Sequence, residues 1–416
     1  MPEPRLIVYS SLFPSGVQPT AGIFIRERMF RVARHIPIVV VSPQPWSPVD
    51  WLVRRFRSSF RPVLPKFERM DGIDVHRPRW LSLPGIGKRF DGWLMALCTI
   101  QPVRRLQRVF GATAIDAHFL YPDGWAATYI ARRLGLPAVV TIRGSKDEWL
   151  IGTERERGLR QALARAGRVF AVSQALARDV AGALGVPAGK VAVIGNGVDA
   201  VRFQPVDRGE ARRRLEIPLD APVLIGVGNL VPGKGFQHVI AQLPRLRRRY
   251  PGLVYLIVGA GATHADLRAS LEAQARTLGV QQAVRFCGRQ PQEELRWFYG
   301  AADVFVLATE FEGWANVFLE AMACGLPVIS TRVGGNAEVV QEPATGELVP
   351  FGDGDALADA VERALDRDWD REAIIAYARA NGWDARVERL LREFRALVGA
   401  SSPASTAAIQ RPADAA

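Results

Sequence analysis

The chain has 416 residues, of which 48% are hydrophobic, and a formal net charge of +12. Because globular domains usually contain roughly 100–200 residues, this length favours two domains over one large core. Its three cysteines are far apart, without a CxxC spacing or nearby histidine pairs, which argues against a disulfide framework and a zinc site and is typical of a reducing cytoplasm.

Hydrophobic patterning predicts a cytoplasmic protein that is soluble or peripheral to the membrane. Prolines and a glycine interrupt the amino terminus before a signal-peptide pattern can form. The longest apolar stretch elsewhere, around Trp93 to Ile100, is far shorter than the roughly 20 residues that span a bilayer.

Short β-branched runs alternate with longer amphipathic stretches, a pattern typical of parallel strands covered by helices on both faces. The predicted strands of the first half are Leu6–Tyr9, Ile38–Ser42, Ile115–His118, Val139–Ile142, Val169–Val172 and Val191–Ile194. Those of the second half are Val223–Val227, Val254–Val258, Val284–Cys287, Val304–Leu307 and Val328–Ser330. The pattern predicts an α/β protein with two doubly wound units in tandem.

Turn chemistry and a proline interrupt this alternation at Asn196–Pro205, which places the domain boundary there. The predicted domains are residues 1–200 and 201–380. A helix over 381–399 is expected to pack back towards the first domain. The low-complexity composition of 400–416 predicts a disordered tail.

Two features of the first half of the chain carry functional hypotheses. The loop Phe13–Phe24 joins the first strand to a helix carrying Arg26 to Arg34, and it contains Gly22, a weak signal when taken alone. Residues 51–108 hold thirteen Lys or Arg against four Asp or Glu, and within them Trp51–Arg61 mixes aromatic residues with arginines. That composition is typical of segments lying on anionic bilayers, although a solvated basic face is the alternative.

Ligands of open α/β sheets bind at the carboxyl ends of strands, and three further segments follow predicted strands. The first contains His118 and, after the next strand, Arg143, although a single histidine in such a place is more often structural. The second is the glycine-rich loop Val227–Phe236, where Lys234 can bring a positive charge to a diphosphate. It is not a Walker loop, because Gly235 stands where Ser or Thr is required; a plain turn with an exposed lysine is the alternative.

The third and most informative segment is Glu310–Pro327, in which a loop leads into a helix predicted over Asn316–Cys324 and ended by Gly325 and Pro327. Glu312 in the loop and Glu320 on the helix can hold hydroxyl groups on two parts of one ligand. The backbone N–H groups of Trp314 to Val317 form a cradle at the positive end of the helix. The alternative is that both glutamates are ordinary surface and capping residues.

These segments, from about Leu6 to Arg395, resemble the retaining glycosyltransferases of family 4. The resemblance is carried above all by Glu312–Glu320 and by Gly334-Gly-Asn-Ala-Glu338. It implies the GT-B fold, with two facing Rossmann-like domains and an interdomain cleft, and transfer of a hexose-type sugar from a nucleotide-diphosphate sugar to a glycan acceptor.

The resemblance also implies roles for individual residues. Lys234 would stabilise the departing diphosphate, Glu312 would bind hydroxyls of the transferred sugar, and His118 would line the acceptor side as the third catalytic residue. Donor binding would involve Gly22, Arg143, Asn229, Trp314, Ala315, Asn316, Val317 and Glu320. Many relatives have arginine in place of Asn229 and histidine in place of Arg143, so Arg143 is hypothesised to supply some of the missing positive charge.

No metal or other cofactor is predicted. Asp353 and Asp355 match the letters of a metal-binding Asp-x-Asp pair, but they precede a predicted helix over Ala356–Leu365 and suit turn and N-cap use. The acceptor favoured by the resemblance is a lipid-linked glycan of surface or exopolysaccharide biosynthesis, reached from the inner face of the membrane. No nucleic-acid-binding motif accompanies the basic residues. The alternatives are a nucleotide-sugar epimerase on the same fold and a non-catalytic nucleotide-sugar-binding protein.

Overall fold

A computed structural model describes residues 3–56, 60–83, 85, 87–261 and 266–400 of the chain. The chain divides into two compact units. Unit 1 comprises Met1–Asn196 and Asp384–Ala416, and unit 2 comprises Gly197–Trp383. The division after residue 196 lies within the segment where the sequence places the boundary. Residues 401–416 of the predicted disordered tail lie outside the described residues.

The strands of unit 1 form an eight-stranded sheet and a separate pair. In the larger sheet the order is β10-β9-β8-β7-β1-β2-β5-β4, and its pairs are parallel except for the antiparallel β4–β5. The parallel pair β3–β6 stands apart. The bounds are β1 Leu6–Tyr9, β2 Ile38–Val41, β3 Gln44–Trp46, β4 Phe67–Met70, β5 Ile73–His76, β6 Arg79–Leu81, β7 Ala114–His118, β8 Ala138–Ile142, β9 Arg168–Ala171 and β10 Val191–Val193.

The helices of unit 1 connect these strands, and the last helix of the chain joins them. They are α1 Ile23–Val32, α2 Asp50–Phe56, α3 Asp91–Phe110, α4 Trp125–Leu134, α5 Ser145–Glu148, α6 Glu156–Arg165, α7 Gln174–Leu176 and, after unit 2, α16 Trp383–Ala400. Within unit 1, α16 packs on β9, where Glu393 lies 2.7 Å from the Arg168 guanidinium and the rings of Phe394 and Phe170 meet edge to face.

Unit 2 contains a six-stranded parallel sheet with the order β13-β12-β11-β14-β15-β16. Its strands are β11 Val223–Val227, β12 Val254–Val258, β13 Val284–Gly288, β14 Val304–Leu307, β15 Val328–Thr331 and β16 Gly346–Val349. Its helices are α8 Arg208–Arg214, α9 Phe236–Arg249, α10 Arg268–Thr277, α11 Leu295–Ala301, α12 Asn316–Ala323, α13 Asn336–Val339, α14 Gly354–Asp366 and α15 Arg371–Ala380.

Strands that the sequence predicts well are those buried on both faces. Every residue of β1, β11, β12 and β14 is buried, and their observed bounds equal the predicted ones. The sequence misses β3 to β6, which are partly exposed; Phe67–Met70, for example, alternates exposed and half-buried residues and includes two charged side chains. It also misses β16, which is mostly buried but begins with a glycine and a glutamate. Strands covered on one face lack the continuous apolar run that identified the others.

In each sheet the order of successive strands reverses at one strand, and this reversal brings the loops that follow neighbouring strands together. In unit 1, β1 lies between β2 and β7, and in unit 2, β11 lies between β12 and β14. Successive connections therefore leave the central strand on opposite sides, which opens a crevice at the carboxyl ends of the strands. The loops after β1 and β7 meet at this place in unit 1, and those after β11 and β14 meet in unit 2.

Candidate functional site

The loop after β11 is held against the end of β14 by its last glycine. Gly235 has φ +73°, and a Cβ atom there would lie 1.7 Å from the carbonyl oxygen of Ala308. Only glycine fits such an approach without moving backbone. The neighbouring Gly233 carbonyl accepts hydrogen bonds from the Glu310 N–H at 3.0 Å and the Thr309 hydroxyl at 2.8 Å. The glycine-rich loop and the Glu312 loop are thus one tied unit.

This contact brings together two of the three predicted catalytic residues. The Lys234 Nζ atom lies 2.5 Å from Glu312 Oε2, although the residues are 78 positions apart in sequence. Both side chains retain partial exposure, 26% for Lys234 and 14% for Glu312. A partly exposed ammonium beside a carboxylate, at the carboxyl ends of adjacent strands, can bind a ligand that carries both an anion and hydroxyl groups.

Gly334 and Gly335 support the Glu312 loop from the far side. Gly334 has φ +48°, and a Cβ atom there would lie 2.0 Å from the Glu312 carbonyl oxygen. The Gly335 N–H donates to that same oxygen at 2.9 Å. The Gly-Gly pair of the sequence motif therefore holds the backbone of Glu312 in place.

The predicted helix after this loop is present, with bounds Asn316–Ala323 against the predicted Asn316–Cys324. Ala315 is its N-cap and provides no side-chain hydrogen bond. The Asn316 N–H donates to the Trp314 carbonyl at 3.1 Å. Trp314 and Val317 are partly buried against the core of unit 2. At the other end Gly325 has φ +84°, which confirms the predicted helix stop.

Glu312 lies in the loop before α12, whereas Glu320 lies on the helix itself. The Glu320 carboxylate has a separate hydrogen-bond partner. The Tyr299 hydroxyl donates to Glu320 Oε2 at 3.1 Å. Tyr299 is fully buried, and burial together with the nearby Glu320 charge raises its pKa well above the ordinary value. A phenol that stays protonated orients the carboxylate, whose role in ribose binding stays a prediction.

Asn229, at the start of the glycine-rich loop, is exposed. Its carbonyl accepts a hydrogen bond from the Val231 N–H at 2.8 Å. The stem of Lys234 passes nearby, with its Cδ atom 3.6 Å from where a Cβ of Gly228 would stand. The structure therefore places Asn229 in the same loop as Lys234, and its part in donor binding stays a prediction.

A cavity of about 280 Å³ borders the loop after β14 within unit 2. Ala308 and Thr331 line it from the sheet, His238 and Gln242 from α9, and Asp353 from the start of α14. Asp353 Oδ1 accepts a hydrogen bond from the Ala356 N–H at 2.9 Å, which confirms the predicted N-cap use. The carboxylate of Asp355 lies 3.6 Å from Arg245 Nη1.

In unit 1, Gly22 is the N-cap of α1, and the backbone of its loop requires a glycine there. It has φ +67°, and a Cβ atom there would lie 2.4 Å from the Leu12 carbonyl oxygen. A side chain at this position would force the backbone at Leu12 and at residue 22 apart. Whether the loop contacts a donor stays a prediction.

His118 and Arg143 lie side by side at the ends of β7 and β8, where His118 pairs with Thr141 in the parallel register. The two strand ends are therefore neighbours in the sheet. Arg143 Nε donates to His118 Nδ1 at 3.1 Å, and Arg143 Nη1 donates to Asn196 Oδ1 at 3.4 Å. His118 is fully buried and Arg143 is 8% exposed. The predicted acceptor-side role of His118 thus belongs to a side chain that is inaccessible in this conformation.

Sequence reasoning assigned no role to two charged residues beside this pair, Arg28 on α1 and Asp116 on β7, each 1% exposed. Burial raises the pKa of Asp116 to about 7, against the opposing effect of Arg28 and Arg143, and burial lowers the pKa of Arg28 to about 10. The available signal was a charged residue in the middle of the otherwise apolar run Ala114–Ala117.

The imidazole of His118 is expected to stay neutral. Burial, followed by the positive charges of Arg143 and Arg28, lowers its pKa well below 6.5. We expect its ¹³Cε1 chemical shift to stay constant between about pH 8 and pH 6, the range in which an unperturbed imidazole changes charge. Since the pKa is lower in the folded state, this residue contributes stability that is present above pH 6.5 and lost as the pH falls further. The ¹³Cε1 signal of His118 is assigned by its absence from the spectrum of His118→Gln. A titration midpoint near pH 6.5 for this signal would contradict a neutral imidazole.

Within the described ranges, no helix is both long enough and apolar enough to cross a membrane. In the same part of the chain, no group of three or more His, Cys, Asp or Glu side chains is placed to hold a metal ion.

Two protein-family models match the chain. The model described as glycosyl transferases group 1 matches residues 207–381, and the one described as glycosyltransferase family 4 matches residues 60–202. Together they cover most of unit 2 and the larger part of unit 1.

Curated relatives agree with these matches. A D-inositol 3-phosphate glycosyltransferase of Acidothermus cellulolyticus is 32% identical over 71% of this chain and 69% of its own length. A GDP-mannose-dependent alpha-(1-6)-phosphatidylinositol monomannoside mannosyltransferase of Mycolicibacterium smegmatis is 36% identical over 56% of this chain, and the match spans 62% of that relative.

Among solved structures, sucrose-phosphate synthase from Thermosynechococcus elongatus superimposes with a TM-score of 0.75. The superposition covers 96% of this chain and 100% of that structure, with 21% sequence identity. It confirms the predicted GT-B fold.

Proposed function

Because this chain belongs to the group 1 glycosyltransferases, with a family 4 region in its first half, we propose that it transfers a hexose-type sugar from a nucleotide-diphosphate sugar to a glycan acceptor with retention of configuration. The observation that carries this proposal is the Lys234–Glu312 pair, 2.5 Å apart at the carboxyl ends of β11 and β14. The Lys234 ammonium suits a diphosphate and the Glu312 carboxylate suits sugar hydroxyls. A nucleotide sugar carries both kinds of group within a few bonds of each other.

Unit 2 would bind the donor, with Lys234 and Glu312 in direct contact at the centre of the site. The Lys234 ammonium would contact the diphosphate, and the Glu312 carboxylate would accept hydrogen bonds from hydroxyls of the transferred sugar. The backbone of Trp314–Val317, at the start of α12, would approach the sugar and diphosphate. Glu320, oriented by Tyr299, would accept hydrogen bonds from the ribose.

In the proposed reaction, the acceptor hydroxyl attacks the anomeric carbon on the face from which the nucleotide diphosphate departs. The bond from the anomeric carbon to the departing phosphate oxygen breaks as the bond to the acceptor oxygen forms, and the phosphate takes the acceptor proton. Negative charge grows on the leaving group, where Lys234 stabilises it. No metal ion is needed if this ammonium performs that task.

The donor assignment is tested by screening nucleoside diphosphates and nucleotide sugars for binding and slow hydrolysis. Glu312→Ala is expected to lower hydrolysis of the preferred nucleotide sugar by about 10–100-fold, because charged hydrogen bonds to its hydroxyls are lost. It should leave affinity for the nucleoside diphosphate unchanged or increased, since Lys234 then lacks its neighbouring carboxylate. Glu310→Ala, which changes an exposed glutamate two positions away, is the matched control.

The same screen separates the competing functions. Conversion of a donor to its isomer without acceptor would favour an epimerase, and binding without any turnover would favour a non-catalytic nucleotide-sugar-binding protein. No binding to any nucleotide sugar would contradict the proposal itself. Loss of activity on adding a chelator would contradict metal independence.

We further propose that the acceptor is lipid-linked and that unit 1 contacts the anionic inner surface of the membrane. Exposed apolar residues gather on two helices of unit 1, where Trp51, Leu52 and Phe56 lie on α2 and Trp93 and Leu97 on α3. We call these five residues the apolar face. Arg54 and Arg55 lie on the same short helix, which suits an anionic lipid surface. Residues 57–59 of the predicted basic segment lie outside the described residues.

A hydrogen-bond network holds the starts of these two helices together. Arg61 Nη1 donates to Asp50 Oδ1 at 3.2 Å at the start of α2 and to the Ser82 carbonyl at 2.6 Å. The Ser82 hydroxyl donates to Asp91 Oδ1 at 3.4 Å at the start of α3, and Lys88 Nζ donates to that hydroxyl at 3.0 Å. The network therefore links the starts of the two helices, and Trp51 and Trp93 lie next to those starts.

Trp51→Ser is expected to weaken binding to vesicles of phosphatidylcholine and phosphatidylglycerol about tenfold, because a large exposed side chain no longer enters the interface. Trp149→Ser is the matched control, since Trp149 is also 69% exposed but lies outside the apolar face. Equal loss in both variants, or wild-type binding that does not depend on phosphatidylglycerol, would count against this membrane surface. Co-sedimentation measures both outcomes.

A further inference from the structure

The cavity of about 280 Å³ in unit 2 is separate from the Lys234–Glu312 pair. His238 and Gln242 of α9 line one side of it, and Asp353 at the start of α14 lines another. Three residues at the carboxyl ends of β14, β15 and β16 line it from the sheet: Ala308, Thr331 and Val349. Lys234 and Glu312 are not among the described residues that line it. We call it the α9–α14 cavity, and it lies at the edge of the sheet where ligands of α/β proteins bind.

Three polar side chains of this cavity have hydrogen-bonding atoms available for a ligand. Within the described part of the chain, neither the His238 imidazole nor the Gln242 amide makes a hydrogen bond. Asp353 uses Oδ1 to accept from the Ala356 N–H, and its other oxygen has no described partner. His238 and Gln242 are half-buried and Asp353 is exposed, so a ligand can reach them from solvent.

Neighbouring residues restrict the orientation of two of these side chains. The ring of Phe351 meets the His238 ring edge to face, with centroids 5.4 Å apart and planes at 85°. The Gln242 amide lies in the space that a side chain at residue 354 would fill, because a Cβ atom on Gly354 would be 2.4 Å from Gln242 Nε2. Polar groups that are already held in place lose less conformational entropy when a ligand binds.

The chemistry of the α9–α14 cavity favours a small neutral ligand that carries hydroxyl groups. The Gln242 amide and the His238 imidazole offer both donors and acceptors, and each hydroxyl of a ligand can use either kind. The negative charge of Asp353 accepts from hydroxyls but disfavours a phosphate. Apolar residues such as Leu357 and Ala241 complete the lining and suit the C–H groups of a sugar. The volume is below the roughly 300–1,000 Å³ typical of pockets for drug-sized ligands, so a single ring fits better than a nucleotide.

We propose that the α9–α14 cavity binds a single sugar ring, at a place separate from the transferred sugar of the donor. The same chemistry is present in a free monosaccharide and in the terminal residue of a glycan chain. The proposal does not depend on the Lys234–Glu312 pair, since neither side chain lines the cavity in the described part of unit 2.

The test titrates glucose, galactose or mannose into the full chain and follows the ¹³Cε1 signal of His238 by NMR. The chain has five histidines, so few signals need to be resolved, and His238→Gln assigns this one by its absence. We expect a saturable change in chemical shift with at least one of the three sugars. Gln242→Ala is expected to weaken this binding about tenfold, because hydrogen bonds to a hydroxyl group are lost.

Two variants and one further probe serve as controls. Gln282→Ala removes an exposed glutamine of unit 2 that does not line the cavity, and it should bind the sugar as wild type does. Glu312→Ala should also keep the binding, since the transferred sugar of the donor lies elsewhere. Glycerol carries hydroxyl groups without a ring and should bind at least tenfold more weakly than the preferred sugar. Gln242 lies outside the hydrophobic core of unit 2, so its replacement should leave the fold intact.

Several results would overturn the proposal. They are the absence of a saturable shift with all three sugars, unchanged affinity in Gln242→Ala, and equal affinity for glycerol. A shift that is lost in Glu312→Ala but kept in Gln242→Ala would place the sugar at the donor site and would overturn it as well. Failure in this experiment leaves the nucleotide-sugar screen, and with it the proposed function, intact.

Disaccharides separate the two sources of the sugar. Maltose, lactose and mannobiose end in glucose, galactose and mannose, and the one that ends in the preferred sugar is titrated in the same way. Affinity at least tenfold higher than that of the monosaccharide would assign the cavity to the end of a glycan chain. Equal or lower affinity would assign it to a free monosaccharide.

Discussion

Lys234→Ala is expected to lower kcat by about 100-fold or more, because the growing charge on the departing diphosphate loses its nearest cation. Removing one group that stabilises developing negative charge typically costs about 3–4 kcal/mol of transition-state stabilisation. Glu312, 2.5 Å from Lys234 Nζ, stays in place to hold sugar hydroxyls. The loss should therefore fall mainly on kcat in steady-state assays with the preferred donor.

Two variants separate this role from a general effect of removing charge. Lys66→Ala removes an exposed lysine of unit 1 and should leave kcat unchanged. Lys234→Arg keeps a positive charge and should recover part of the rate, although the planar guanidinium does not reproduce the position of the ammonium. A change of less than about threefold in Lys234→Ala would contradict leaving-group stabilisation by this residue.

Gly235→Ala is expected to destabilise unit 2 by about 2–3 kcal/mol and to abolish measurable nucleoside diphosphate binding. The residue has φ +73°, and the new Cβ would lie 1.7 Å from the Ala308 carbonyl oxygen, so the backbone of one loop must move. Any such shift moves Lys234, the preceding residue, away from Glu312. Urea unfolding and calorimetric titration measure the two effects.

Gly233→Ala provides the matched control in the same loop. A Cβ atom there would meet nothing within 4 Å, and its φ lies outside the left-handed range. Its stability should stay within about 0.5 kcal/mol of wild type, with binding retained. Equal effects at both glycines would mean that loop flexibility, and not the close approach at Ala308, matters for binding.

Local sequence determined the buried elements of this protein. Continuous runs of Val, Ile and Leu identified β11, β12 and β14 with their observed bounds, because strands covered on both faces need no polar side. Gly325 ended α12 where expected, and Asp353 capped α14. The loop and helix signals of Glu310–Pro327 marked the Glu312–Glu320 segment, and that segment carries the family resemblance. All of these signals lie within about twenty residues of the structure they specify.

Tertiary structure alone decided which of these residues meet. Lys234 and Glu312 are 78 positions apart and touch because β11 and β14 are adjacent in the sheet, an order that no local pattern encodes. Arg28 lies in a helix that reads as amphipathic, and only the packing of α1 buries its charge near Asp116. Sequence periodicity reports which face of an element is buried, whereas the partner on that face depends on strand order and on contacts between distant parts of the chain.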